Sequence, residues 1–189
     1  MSNDILDLTK TTDALDLTKA RPSLKKLKGV LAWDKVNNTS AHSEFDMDIW
    51  VFCLDKDGKI GGQNNIVFFN HKEANGFSIP RDEREGGNKP EEMFADLLTV
   101  PSNIQSADIF VIIHEAVPRQ QTFGMVSKAT FTLIDDEKGD VIQSYRINDH
   151  VGDIALHVGS LIRQNGGWAF DPIGQSGTMN PNEIYNAYK

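Results

Sequence analysis

In Phe45-Asp46-Met47-Asp48-Ile49, two aspartates alternate with three apolar residues. Successive side chains of an extended strand point to opposite faces, so Asp46 and Asp48 would share one face about 7 Å apart. Two carboxylates so placed can bind one divalent cation. Calcium takes six to eight oxygens at about 2.3–2.6 Å in irregular geometry, so the pair needs further donors from elsewhere in the chain. The long polar stretch between Asn70 and Phe94, HKEANGFSIPRDEREGGNKPEEM, can lend them through Asp82, Glu83, Glu85, Asn88, Glu91 and Glu92. An amphipathic strand whose wet face happens to be aspartate has the same pattern, and at this level both readings stand.

Other chemistry is harder to place. His114-Glu115 is followed by Pro118 where a zinc-protease helix would carry its second histidine, and a proline there opposes the helix itself. Gly174-Gln175-Ser176-Gly177-Thr178 lacks the final glycine of a nucleophile elbow, and the sequence holds no phosphate loop or dinucleotide fingerprint. Asp55-Lys56-Asp57-Gly58 opens like an EF-hand loop, but its glycine comes too early and Ile66 stands where the bidentate glutamate belongs, which leaves a turn. The histidines at 42, 71, 114, 150 and 157 show no ligand spacing and are read as structural or surface groups. The expectation is a protein that binds and does not catalyse.

The elements that must carry the aspartates are strands. Residues 28–33, 45–54, 66–70, 94–100, 109–114, 129–134 and 141–147 are rich in β-branched and aromatic residues and end in turn-forming clusters. Residues 154–163, followed by Gln164-Asn165-Gly166-Gly167 and Trp168-Ala169-Phe170, read as a hairpin. Near the start, Ile5-Leu6-Asp7-Leu8-Thr9-Lys10 is echoed by Ala14-Leu15-Asp16-Leu17-Thr18-Lys19, a pair of short strands too brief for a solenoid. Lys25, Lys26 and Lys28 suit a solvated strand edge. Many short strands with little helix predict an all-β fold, an antiparallel β-sandwich with a long acidic loop over 70–94. Residues 1–175 are expected to form the domain, and 176–189 a polar tail that packs loosely or mediates contacts.

Composition agrees with a compact single domain. The 189 residues are 39% hydrophobic, and 19 basic against 27 acidic side chains give a net charge of −8. Such a field disfavours nucleic acid and favours cations. One cysteine, Cys53, excludes an internal disulfide and fits a reducing compartment. The acidic N-terminus is unlike a secretory signal, and no apolar run approaches the length of a membrane span. The expected location is therefore the cytoplasm, with membrane contact only through partners.

In their order along the chain, these motifs resemble the TerD-like family of tellurite-resistance and stress-response proteins. The matching pieces are the Leu-Thr-Lys segments, Gly29-Val30-Leu31-Ala32-Trp33-Asp34, Phe45-Asp46-Met47-Asp48, Asp57-Gly58-Lys59, Val67-Phe68-Phe69-Asn70, the acidic loop, Ile113-His114-Glu115-Ala116, Thr122-Phe123-Gly124 with Val126, and Gly166-Gly167-Trp168-Ala169-Phe170 leading into Ile173-Gly174-Gln175. The resemblance implies a β-sandwich that binds calcium and acts as a non-enzymatic module in stress-response complexes. It implies that Asp34, Asp46 and Asp48 are ligands, with Asp82, Glu83, Glu91 and Glu92 contributing from the loop. The loop departs from the family pattern at Glu83, Lys89 and Pro90. A longer carboxylate arm reshapes the cage and an ammonium competes with the ion, which weakens at least one calcium site. Two readings follow. In the first, one calcium ion orders the acidic loop and shapes a surface for other stress proteins or for self-assembly. In the second, calcium binding is weakened or lost and the chain is a structural or assembly component, for example of a phage- or plasmid-encoded particle. Ligand recognition through Trp33, Trp50 and Trp168 is a third and weaker option, since burial is the commoner fate of such rings.

Overall fold

The computed structural model describes residues 15–16, 24–34, 45–81, 89–164 and 166–189. Their architecture is the expected antiparallel β-sandwich. In one sheet β1 (Leu15–Asp16) pairs with β12 (Gly167–Gly177), followed in order by β11 (Ala155–Gln164), β8 (Ser106–Ile113), β3 (Met47–Leu54) and β4 (Ile66–Val67). The other sheet runs β10 (Val141–Arg146), β9 (Thr130–Asp135), β2 (Lys26–Ala32), β7 (Glu91–Asp96), β6 (Phe77–Arg81) and β5 (Glu73–Ala74). Among the described residues, helix is confined to two short pieces, α1 (Ala116–Arg119) and α2 (Pro181–Ala187), and to 3₁₀ turns at Gln63–Asn65 and Phe123–Met125. None of the described helices is long and apolar enough to cross a membrane.

Strand alternation builds the interior. Leu27 and Leu31 of β2, Met47, Ile49, Val51 and Cys53 of β3, and Met93 and Ala95 of β7 face the space between the sheets and are buried there. Several outward positions of β3 and β8 are apolar as well, and Phe52, Leu54, Phe110 and Ile112 form a second buried cluster on the outer face of the first sheet with Ile60, Ile66 and Ile184. Trp33 and Trp168 are buried, and Trp50 packs parallel to Phe68 with ring centroids 4.3 Å apart.

Four expectations need correction. Lys26 and Lys28 stand not at a strand edge but on β2, which is paired on both sides by β7 and β9. The stretch over 70–94 is not one loop: it contains β5, β6 and the start of β7. In β6, Phe77 and Ile79 alternate with Ser78 and Pro80, so the segment buries one face although its surroundings are charged. Asn75 and Gly76, both with positive φ, close the β5–β6 hairpin, the conformation an Asn-Gly pair favours. The strand expected over 94–100 therefore begins at Glu91 and stops at Asp96, and the one over 66–70 is reduced to Ile66–Val67 and a Phe68–His71 bridge. Nor is the C-terminal segment loosely packed: β12 continues to Gly177, and α2 buries Ile184 against the outer cluster. The first copy of the N-terminal echo lies outside the described residues. The second copy contributes Leu15–Asp16, paired with Phe170 and Ala169.

Candidate functional site: a carboxylate-lined edge at the start of β3

Strand β3 places the Asp-x-Asp pair. Met47 and Ile49 point inward and are fully buried, so period-two geometry turns Asp46 and Asp48 to the outer face, where they are 7% and 2% exposed. Opposite Asp48 on β8 stands Ile112. His114, just past the end of β8, donates its backbone N–H to the Asp46 carbonyl at 2.9 Å and brings Nδ1 to 3.5 Å from Asp48 Oδ2. Its ring sits edge-on to Phe69 at 5.3 Å.

Glu91 reaches the same strand from the other sheet. It faces inward on β7, and its Oε1 accepts a hydrogen bond from Ile49 N at 2.6 Å, ahead of the two residues that β4 pairs. Glu91 thus bonds the β3 backbone from the inner side, whereas Asp46 and Asp48 point to the outer face. Glu92, next to Glu91, alternates to the opposite face of β7, where it pairs with Lys28 at 3.5 Å. Asp34, at the end of β2, forms an ion pair with Lys128 at 3.1 Å and is half exposed. The Trp33 indole N–H, donated to the Phe45 carbonyl at 3.1 Å, ties that strand end to the residue before Asp46.

Of the seven carboxylates expected to hold calcium, Asp46 and Asp48 share the outer face at the start of β3, Glu91 bonds the β3 backbone from the inner side, and Asp34 and Glu92 pair with lysines. Asp82 and Glu83 lie outside the described residues. Oxygen-only donors of this kind suit a hard cation. Among the described residues, however, no group of three or more His, Cys, Asp or Glu side chains could hold a metal ion by itself.

A second polar cluster, unforeseen from the sequence, lies on the outer face of the same sheet. Asp108 of β8 accepts from Ser160 Oγ at 2.6 Å and from the Tyr188 hydroxyl at 2.5 Å, and His157 Nε2 is 3.2 Å from Ser160 Oγ. The His157 ring is stacked on Phe110 at 4.4 Å. Burial holds the His157 pKa below 6.5 against the opposing pull of Asp108. Burial, with Asp108 alongside, pushes the Tyr188 phenol up. The sequence signal was faint, because a β-bulge between His157 and Gly159 brings His157 and Ser160 onto one face despite their odd spacing. Cys53, buried between the sheets, has its thiol pushed up to about 12 by the loss of solvent, and this makes it inert.

Fold and site together describe a β-sandwich with an acidic strand edge. The chain belongs to the TerD domain family, whose model matches residues 6–188. It is 34% identical to general stress protein 16U of Bacillus subtilis (strain 168) over 89% of this chain and 85% of that protein. It is also 32% identical to the tellurium resistance protein TerD of Serratia marcescens over 82% of this chain and 83% of that one. A crystal structure of a TerD homologue from Streptomyces coelicolor A3(2) superposes with a TM-score of 0.74 at 21% identity, covering 86% of this chain and 95% of the other, which supports the shared fold.

Proposed function

We propose that this chain is a non-enzymatic, calcium-binding module of the bacterial stress and tellurium-resistance response, working in the cytoplasm through contacts with other stress proteins or copies of itself. The observation that carries this reading is the pair Asp46 and Asp48, both buried on one face at the start of β3. Two desolvated carboxylates on one strand face raise each other's charging cost, and a divalent cation offsets it. The names of the relatives, a general stress protein and tellurium resistance proteins, support the cellular setting.

A melting experiment tests the ion. At a calcium concentration one hundred times Kd, stabilisation is about 2.7 kcal/mol, or roughly 5–10 °C in Tm for a chain of this size. Calcium is expected to raise Tm by that order over chelator, and Asp46→Asn with Asp48→Asn to abolish the difference. Equal melting temperatures for the unmodified chain in calcium and in chelator reject a structural ion. The second reading, an assembly component with weakened calcium binding, draws on the Lys128–Asp34 and Lys28–Glu92 pairs, which engage two expected ligands with the protein's own cations. Assembly by size exclusion that ignores calcium favours it.

A further inference from the structure

Helix α2 does not lie flat on the sheet. Between it and the outer face of β8, β11 and β12 is a cavity of about 270 Å³, walled by Phe110, His157, Gln175, Gly177, Ile184 and Tyr188 among others. It is formed by different residues from the carboxylates at the start of β3. Three properties of its wall define what it can take.

The first is size. Sites for small organic ligands run from about 300 Å³ upward, so this space admits a molecule of one or two rings and excludes a nucleotide or an acyl chain. The second is charge. Among the described residues no lysine or arginine lines the cavity, and the two carboxylates bonded to its wall, Asp108 through Tyr188 and Asp153 through Ser176, are already engaged. An anion finds no counter-charge there, and a cation finds no uncommitted carboxylate. His157 itself is held neutral at pH 7 by burial. The third is shape and polarity. The stacked Phe110 and His157 rings contribute a flat π surface, Ile184 is apolar, and the Gln175 amide offers both a donor and an acceptor at the exposed rim.

We propose that the cavity beneath the C-terminal helix binds a small, uncharged, planar aromatic molecule, stacked on the Phe110–His157 pair and hydrogen-bonded at its rim to Gln175. The site is separate from the acidic edge, and its occupation does not require calcium.

Gly177 provides a clean test. It lies opposite Ala155 in the β11–β12 pairing and lines the cavity, and a Cβ added to it meets nothing within 4 Å. Gly177→Leu therefore fills the space without a backbone clash. Indole serves as the probe and indole-3-carboxylate as its anionic analogue, with binding to the full chain followed by saturation-transfer NMR in calcium and in chelator. Saturable indole binding is expected in both buffers, weakened at least tenfold by Gly177→Leu, by Gln175→Leu and by the added carboxylate. Ala187→Trp, which closes the cavity from the helix side at an exposed position, gives an independent second block should Gly177→Leu fold poorly. The proposal is overturned if the unmodified chain shows no saturable indole binding, or if indole and its carboxylate bind alike and both blocking variants leave binding unchanged.

Discussion

At the scale of single residues, the acidic edge and the Asp108 cluster differ in how they were legible. The two-residue spacing of Asp46 and Asp48 is itself a geometric statement, so their shared face could be read directly. The separation of Glu91 from Glu92 could not, because it follows from their being in a strand and not in a loop. His157 was hidden for a similar reason: Asp108, 3.8 Å from its Nε2, is 49 positions away, and only the sheet register brings the two together. Its environment makes a measurable prediction. Burial lowers the folded-state pKa of His157 below its ordinary 6.5, with Asp108, Gly159 and Asp171 opposing. As pH falls through about 6.5 the unfolded chain takes up this proton before the folded one does, so the unfolded state binds more protons and stability drops, by at most about 1.4 kcal/mol per pH unit. Above 6.5 the contribution is fully present. Replacing His157 with Gln should flatten the dependence of unfolding free energy on pH between 7 and 5.5, measured by urea titration. An unchanged slope in the variant would show that the imidazole is not the titrating group.

At the scale of elements, strand density with frequent turns was enough to foresee the sandwich, and the errors concentrated where charge masked alternation. Phe77 and Ile79 carry all the apolar signal of β6, diluted by Arg81 and by the acidic run after it, so the segment reads as a loop. The Asn75-Gly76 turn was a hairpin signal standing in plain view between β5 and β6. A bulge is less visible still. In β11 the register shifts between His157 and Gly159, and a Cβ on Gly159 would stand 2.5 Å from the Asp171 carbonyl oxygen and 2.5 Å from Cζ of Phe170. Neither neighbour can retreat easily, because one is backbone and the other is a buried ring. Gly159→Ala is therefore expected to cost about 1–3 kcal/mol, the usual range for overpacking, and to lower Tm by several degrees. Gly177→Ala, in the partner strand β12 where a Cβ meets open space, serves as the matched control and should move Tm far less. Equal shifts for the two variants would mean that the bulge yields more readily than its contacts suggest.

At the scale of the whole molecule, the sandwich has two apolar cores, one between the sheets and one on the outer face of the first. The second was implied by the sequence more clearly than its cover was. Trp50-Val51-Phe52-Cys53-Leu54 and Ile109-Phe110-Val111-Ile112-Ile113 are apolar at every position, and a strand apolar on both faces must be covered on both. What covers the outer face, besides the segment carrying Ile60 and Ile66, is the C-terminal helix. Its start is written in Asn180-Pro181-Asn182-Glu183, where the Asn180 side chain accepts from the Asn182 and Glu183 amides and Glu183 returns a bond to Asn180 N. The helix places Ile184 in the outer core, and just beyond its end the Tyr188 hydroxyl bonds Asp108 and the Tyr188 carbonyl accepts from Ile60 N at 3.0 Å. Ending the chain at Gly177 removes these contacts and leaves the core between the sheets intact. Full burial of a side chain such as Ile184 is worth about 1.5–3 kcal/mol, and a hydrogen bond to a charged group about 1.5–3 kcal/mol. The truncated chain should therefore lose about 3–6 kcal/mol, a large share of the 5–15 kcal/mol typical of a domain. The expected behaviour is a β-type circular dichroism spectrum retained near 15 °C, a sharply lowered Tm, and binding of the dye ANS to newly exposed Phe52, Phe110 and Ile112. A truncated chain that melts with the full one and binds no dye would show that the outer core holds without its helix, and that the helix is an appendage and not a cover.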